Sequence, residues 1–164
     1  VVAGTARSLP AVKAREMMKV DAADILDHLQ VSIDGTQVEK CVLYRIRCQY
    51  RAGPRRGNTA ADKEWIVHKR YSDFVCLRAL MQREEQEWLN QNPGATVLPA
   101  PLPPLPPKRW LGNRSSGVIL ERVQGLDQFI SKVLAPHNGR RGRKRLLARF
   151  LMVLSHSNEG PARS

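Results

Sequence analysis

The chain has 164 residues, with 27 Lys and Arg against 15 Asp and Glu, giving a formal net charge of +12. That length suits one ordinary domain able to bury a core without disulfides or metal, and the charge points to an anionic partner such as nucleic acid, a membrane surface or a phosphorylated ligand. No apolar run approaches the roughly eighteen residues of a membrane span, so any membrane contact is expected to be peripheral.

The chain opens on VVAGT without a methionine and closes on the polar SHSNEGPARS, which reads as a segment of a longer protein whose other domains would bring further protein partners. Charge is uneven along it. Asp21, Asp24, Asp27, Asp34 and Glu39 precede Lys40 with no cation between them, so the anion-facing surface is expected downstream. Cys41, Cys48 and Cys76 are odd in number and lack C-x-x-C spacing. They sit in strand-like or helix-like segments, which predicts buried free thiols and a reducing, cytosolic setting.

Residues 1–24 have no hydrophobic period and read as a flexible lead-in, as do residues 156–164 at the other end. In DILDHLQVSI, Leu29, Val31 and Ile33 alternate, and Asp34-Gly35 is a turn signal that ends a first strand. CVLYRIRCQYR is the clearest strand, with Val42, Tyr44, Ile46, Cys48 and Tyr50 on one face and Leu43, Arg45, Arg47, Gln49 and Arg51 on the other. After a Gly- and Pro-containing loop, EWIVHKR resumes the alternation, placing Trp65 and Val67 on one side. These three form an antiparallel meander.

Past Arg70 the period lengthens to that of a helix through Phe74, Leu77 and Met81, with Ser72 as the expected N-cap. Six prolines between Pro99 and Pro107 then exclude helix and central strand and predict a stiff polyproline II arm. VILERVQGLDQFISKVL carries Ile119, Val123, Leu126, Ile130, Val133 and Leu134 at helical spacing, and RKRLLARFLMVL repeats the pattern through Leu147, Phe150, Leu151 and Leu154. The expected fold is α+β, a three-stranded antiparallel sheet packed against a helical subdomain, with the proline-rich arm between the first and second main helices.

This order, together with KRYSDF, PLPPK and ERVQGLDQFISKVL, resembles the phox-homology domain of sorting nexins over roughly Ile25 to Leu154; the domain is assigned to 25–155. The resemblance implies binding of phosphatidylinositol 3-phosphate on endosomal membranes. It assigns the 3-phosphate to Arg70, the inositol face to Tyr71, the 1-phosphate to Lys108 and the 4- and 5-hydroxyls to Arg122. The chemistry suits those roles: a guanidinium fork matches a phosphomonoester, an aromatic face packs on ring C–H groups, and a lysine at the end of a rigid arm meets a phosphodiester as a point charge.

Trp110 and Leu111, in a Gly- and Ser-containing loop beside these residues, are expected at the membrane interface. Arg109, Arg114 and the block Arg140, Arg141, Arg143, Lys144 and Arg145 are expected as accessory basic contacts. Two features depart from the family pattern. RWLGNRSSG is short for its membrane-inserting loop, and NGRRGRKR is more basic than it requires. The alternative use is a protein-interaction domain that presents its proline arm or a helical face to a partner, with weak or no phosphoinositide binding; for nucleic acid the basic block has too little aromatic company. His28, His68, His137 and His156 are scattered, with no metal-ligand spacing and no glycine-rich phosphate loop, so neither a cofactor nor an enzymatic activity is expected. Ser72, next to Tyr71, is a candidate phosphorylation switch.

Overall fold

A computed structural model describes residues 25–51, 62–136 and 141–152. Three strands, β1 (Leu29–Val38), β2 (Val42–Tyr50) and β3 (Lys63–Arg70), pair antiparallel in the order β1-β2-β3. Three helices follow: α1 (Tyr71–Gln91), α2 (Ser116–Leu134) and α3 (Arg141–Phe150). The α+β architecture expected from the sequence is the one observed. Alternation on β2 and β3 puts Tyr44, Ile46, Cys48, Trp65 and Val67 on the buried face. Against them pack Phe74, Leu77 and Met81 of α1, Leu126, Phe129, Ile130 and Val133 of α2, and Leu147 of α3. The indole N–H of Trp65 donates to the Leu151 carbonyl at 2.9 Å, tying the sheet to the end of α3.

The Asp34-Gly35 pair does not turn the chain. β1 continues to Val38, and the register shifts between Ile33 and Gly35, so Asp34 is the extra residue of a β-bulge. Two anchors hold the bulge. The Ile33 N–H donates to Asp127 Oδ1 on α2 at 2.9 Å, and the Asp34 carboxylate accepts from Arg45 Nε at 2.8 Å and Arg47 Nε at 2.6 Å. The reversal comes later, at Glu39–Cys41, where the Glu39 N–H donates to the Cys41 carbonyl at 3.1 Å.

β3 runs into α1 without a loop. Arg70, extended at φ −87° and ψ 161°, occupies the cap position, and its N–H donates to the Asp73 carboxylate at 2.7 Å. Ser72 is therefore the second residue of the helix and not its cap, because the carboxylate three residues into the helix reaches back to satisfy the entering N–H. At α2 the Ser115 hydroxyl is the cap, accepting from the Val118 N–H at 3.4 Å.

The proline arm is fastened at three-residue intervals, the repeat of polyproline II. The Ala100 carbonyl accepts from Arg143 at 2.7 Å, that of Pro103 from Arg78 at 3.0 Å and that of Pro106 from the Tyr71 hydroxyl at 2.5 Å. Pro103 and Pro106 are buried, while Pro101, Pro104 and Pro107 form the exposed edge. Gly125 of α2 gives the arm its close approach, since a Cβ there would lie 2.4 Å from Pro106 Cγ.

Part of the basic block is structural. Arg143 is only 1% exposed and pairs with Glu85 at 2.5 Å, and Lys144 pairs with Asp27 at 2.6 Å. Neither guanidinium nor ammonium faces outward, which corrects their assignment as accessory membrane contacts: Arg143 ties α3 to α1 and the arm, Lys144 ties it to the segment before β1, and a side chain so engaged cannot also reach a bilayer. Arg141 and Arg145 are exposed. Arg140, Leu154 and the two terminal segments, 1–24 and 156–164, lie outside the described residues. Among the cysteines only Cys48 is buried; Cys41 is half-buried and Cys76 exposed, and all three are free thiols. Burial pushes the Cys48 thiol up to about 12. Cys76 is outward because it falls between the inward positions Phe74 and Leu77 of α1.

Candidate functional site

Where β3 becomes α1, the β1–β2 turn, the end of the proline arm and the start of α2 enclose a cavity of about 470 Å³. Its lining comprises Lys40, Cys41, Val42, Tyr44, Arg70, Tyr71, Ser72, Lys108, Arg109, Asn113, Arg114 and Arg122. Six of these are Lys or Arg and none is Asp or Glu, so the cavity is a concentrated positive field suited to an anion. All four residues assigned to a headgroup stand together in it, although as many as 52 positions of chain separate Arg70 from Arg122.

Each is held differently. Arg70 is exposed at the helix start, and while its backbone N–H is held by Asp73 its guanidinium has no carboxylate partner among the described residues. Tyr71 is half-buried, its hydroxyl anchored to the arm, so its ring is fixed in orientation. Arg122 is 6% exposed, with its guanidinium carbon 4.3 Å from the Tyr71 ring centroid. Its Nε and the Tyr44 hydroxyl are both buried without a hydrogen-bond partner among the described residues. Burial raises the Tyr44 hydroxyl above its usual pKa, opposed by the neighbouring Arg122 guanidinium, first through its donors and then through its positive charge, although the geometry between the two falls short of a full hydrogen bond. Lys108 is exposed at the end of the arm, its Nζ 4.3 Å from the Trp110 ring centroid.

Trp110 and Leu111 are 82% and 89% exposed. Trp110 thus does not fold back onto the arm. Arg109 and Arg114 reach the cavity, the first paired with Glu121 at 3.0 Å and the second donating to the Lys40 carbonyl. Arg141, Arg143, Lys144 and Arg145 are not in its lining. Sequence reasoning missed Lys40, Tyr44 and Asn113. Lys40 follows an acidic stretch, so the charge distribution pointed away from it, yet its place beside Cys41 and Val42 at a strand start was a usable signal for a hairpin tip.

A cationic cavity with an aromatic wall and a stiff arm, carried on an α+β scaffold, defines a phosphate-recognising binding module. A model of the PX domain matches residues 57–154, more than half of the chain, and the chain belongs to the PX domain family, the class of phosphoinositide-binding modules in membrane-trafficking proteins. Human sorting nexin-3 is 41% identical over 71 residues, covering 43% of this chain and 41% of that protein. Sorting nexin-3 of Yarrowia lipolytica is 32% identical over 71 residues, 43% of this chain and 39% of the relative. The rat PX domain-containing protein kinase-like protein is 32% identical over 78 residues, 48% of this chain but 11% of that protein. The chain thus spans well under half the length of these curated relatives, and what it shares with them lies in a binding module rather than a catalytic one. Among the described residues no helix is long and apolar enough to cross a membrane.

Proposed function

We propose that this chain is a targeting module that binds phosphatidylinositol 3-phosphate on endosomal membranes, with no catalytic role. Arg70 grips the 3-phosphate, Tyr71 packs on the inositol face, Lys108 meets the 1-phosphate and Arg122 reads the 4- and 5-hydroxyls, while Trp110 and Leu111 enter the interface. The observation that carries this reading is the convergence of Arg70, Lys108 and Arg122 around the fixed Tyr71 ring in a cavity without a carboxylate. An Arg122 that is nearly buried with an unpartnered Nε suits a group with acceptors of its own arriving from outside. The exposure of two large apolar side chains beside Lys108 is costly in water and suits a bilayer.

A role for the arm as ligand of a proline-recognition partner is less well supported, since its Ala100, Pro103 and Pro106 carbonyls are already engaged by the domain. Vesicle sedimentation across a phosphoinositide panel tests the reading. Arg70→Ala should lose headgroup-dependent binding at unchanged melting temperature, and Arg70→Lys should recover only part of it, because an ammonium lacks the paired donors. Undiminished binding of Arg70→Ala to phosphatidylinositol 3-phosphate vesicles refutes the assignment. Trp110→Ala with Leu111→Ala should weaken vesicle binding by about 2–4 kcal/mol while sparing a soluble short-chain headgroup.

A further inference from the structure

The cavity carries more positive charge than one headgroup of the proposed kind needs. A phosphomonoester brings about −1.5 to −2 at pH 7 and a phosphodiester about −1, a total that Arg70, Lys108 and Arg122 balance. Arg109 is already paired with Glu121 at 3.0 Å. Lys40 and Arg114 remain, both exposed and neither facing a carboxylate among the described residues.

These two cations come from separate elements and are brought together by a specific bond. Lys40 stands in the β1–β2 turn, closed by the Glu39 N–H to the Cys41 carbonyl at 3.1 Å. Arg114 immediately precedes the Ser115 cap of α2, and its Nη2 donates to the Lys40 carbonyl. A guanidinium has five donors, so that bond orients the group and leaves the others available. Two like charges gathered on one rim repel each other unless an anion comes between them.

We propose that Lys40 and Arg114 form a second phosphate subsite on the β1–β2 side of the cavity, which takes the phosphoester of a neighbouring anionic phospholipid while Arg70, Lys108 and Arg122 hold the phosphoinositide. The inference rests on the function proposed above. A neighbouring lipid fits better than a second phosphate on the same ring for a reason of depth. The ring 4 and 5 positions are assigned to Arg122, which is buried in the wall, whereas Lys40 and Arg114 are at the surface. Arg114 also belongs to the same loop as the exposed Trp110 and Leu111, the level at which adjacent lipids lie.

Lys40→Ala removes the ammonium and keeps the backbone carbonyl that Arg114 uses. Binding would be measured to a soluble phosphatidylinositol 3-phosphate headgroup, to phosphatidylcholine vesicles bearing that lipid, and to the same vesicles with added phosphatidylserine. A fourth arm uses phosphatidylcholine vesicles bearing phosphatidylinositol 3,5-bisphosphate. The variant's loss relative to wild type should be about five-fold greater in the third arm than in the first two, the effect expected of one basic side chain at an anionic surface. The double variant with Arg114→Ala should lose about thirty-fold there. Arg149→Ala, an exposed α3 cation outside the cavity lining, measures the non-specific charge effect and should lose less than two-fold. An equal loss in Arg149→Ala overturns the subsite, as does an equal loss on the soluble headgroup, which would merge Lys40 with the first site. A loss confined to the bisphosphate arm would place the second phosphate on the ring and also overturn it. Should wild type ignore the soluble headgroup, the function proposed above fails; the phosphatidylserine arm still decides whether Lys40 and Arg114 bind a phosphoester.

Discussion

Gly125→Ala tests whether the arm positions the site. Gly125 is inside α2, where alanine normally stabilises a helix by about 1 kcal/mol relative to glycine. Here the added Cβ would stand 2.4 Å from Pro106 Cγ and 3.1 Å from its Cδ, and the obstructing atoms belong to a closed ring of a buried residue that cannot swing aside. The arm must retreat by about 1 Å to restore ordinary carbon contact. Pro106 also carries the carbonyl that holds the Tyr71 hydroxyl at 2.5 Å, so the same retreat stretches that bond toward the limit of hydrogen bonding and carries Lys108 with it. Overpacking costs about 1–3 kcal/mol and the weakened bond about 1 kcal/mol, against the helix gain. The net expectation is a loss of about 1–3 kcal/mol, a melting temperature lower by about 2–12 °C, and weaker headgroup binding. Gly117→Ala in the same helix is the control, since a Cβ there meets nothing within 4 Å and should leave melting unchanged or raise it. The reasoning is refuted if Gly125→Ala melts as high as Gly117→Ala and binds the headgroup as wild type does.

Thiol labelling at neutral pH should modify the exposed Cys76 rapidly and spare Cys48, whose burial pushes its pKa to about 12; mass spectrometry of the native and denatured protein reads both. The Arg45 hydrogen bond, opposed by burial and helped by Arg47, holds the Asp34 carboxyl at about 2, below its usual 3.8. Its contribution to stability is therefore present above about pH 4 and disappears as pH falls through 2. Asp34→Asn should flatten that part of the acid-denaturation profile, and an unchanged profile would count against the bulge pairing. Phosphorylation of Ser72, the second residue of α1 and a lining residue of the cavity, should leave melting unchanged, because a helix start tolerates an anion. It should reduce phosphoinositide binding by capturing Arg70, and unchanged lipid affinity of the fully phosphorylated protein would disprove the switch.

Local pattern was enough to place β2, β3 and the inward faces of the helices, though not the end of β1 or the cap of α1. The alternation from Val42 to Tyr50 sets the inward face of β2 because successive side chains of a strand point to opposite sides, and Phe74, Leu77 and Met81 share a helix face for the equivalent reason. Six prolines permit little besides an extended arm. The resemblance carried by KRYSDF, PLPPK and ERVQGLDQF named Arg70, Tyr71, Lys108 and Arg122, which do meet in one cavity.

What only the tertiary structure decided were the choices made by partners distant in sequence. Asp34-Gly35 has the chemistry of a hairpin turn, but Asp127 draws the Ile33 N–H from 94 residues away and the pair becomes a bulge. Arg143 and Lys144 read as accessory contacts in an outward-facing basic block, until Glu85, 58 residues off, and Asp27, 117 residues off, fix them inside the fold. Lys40 follows an acidic run and still joins the cationic cavity, because pairing of β1 with β2 brings its turn to the loop that carries Arg114. Charge and period are properties of neighbouring residues, whereas whether a charge is paired, buried or free for an anion depends on which segments the fold brings within a few ångströms of it.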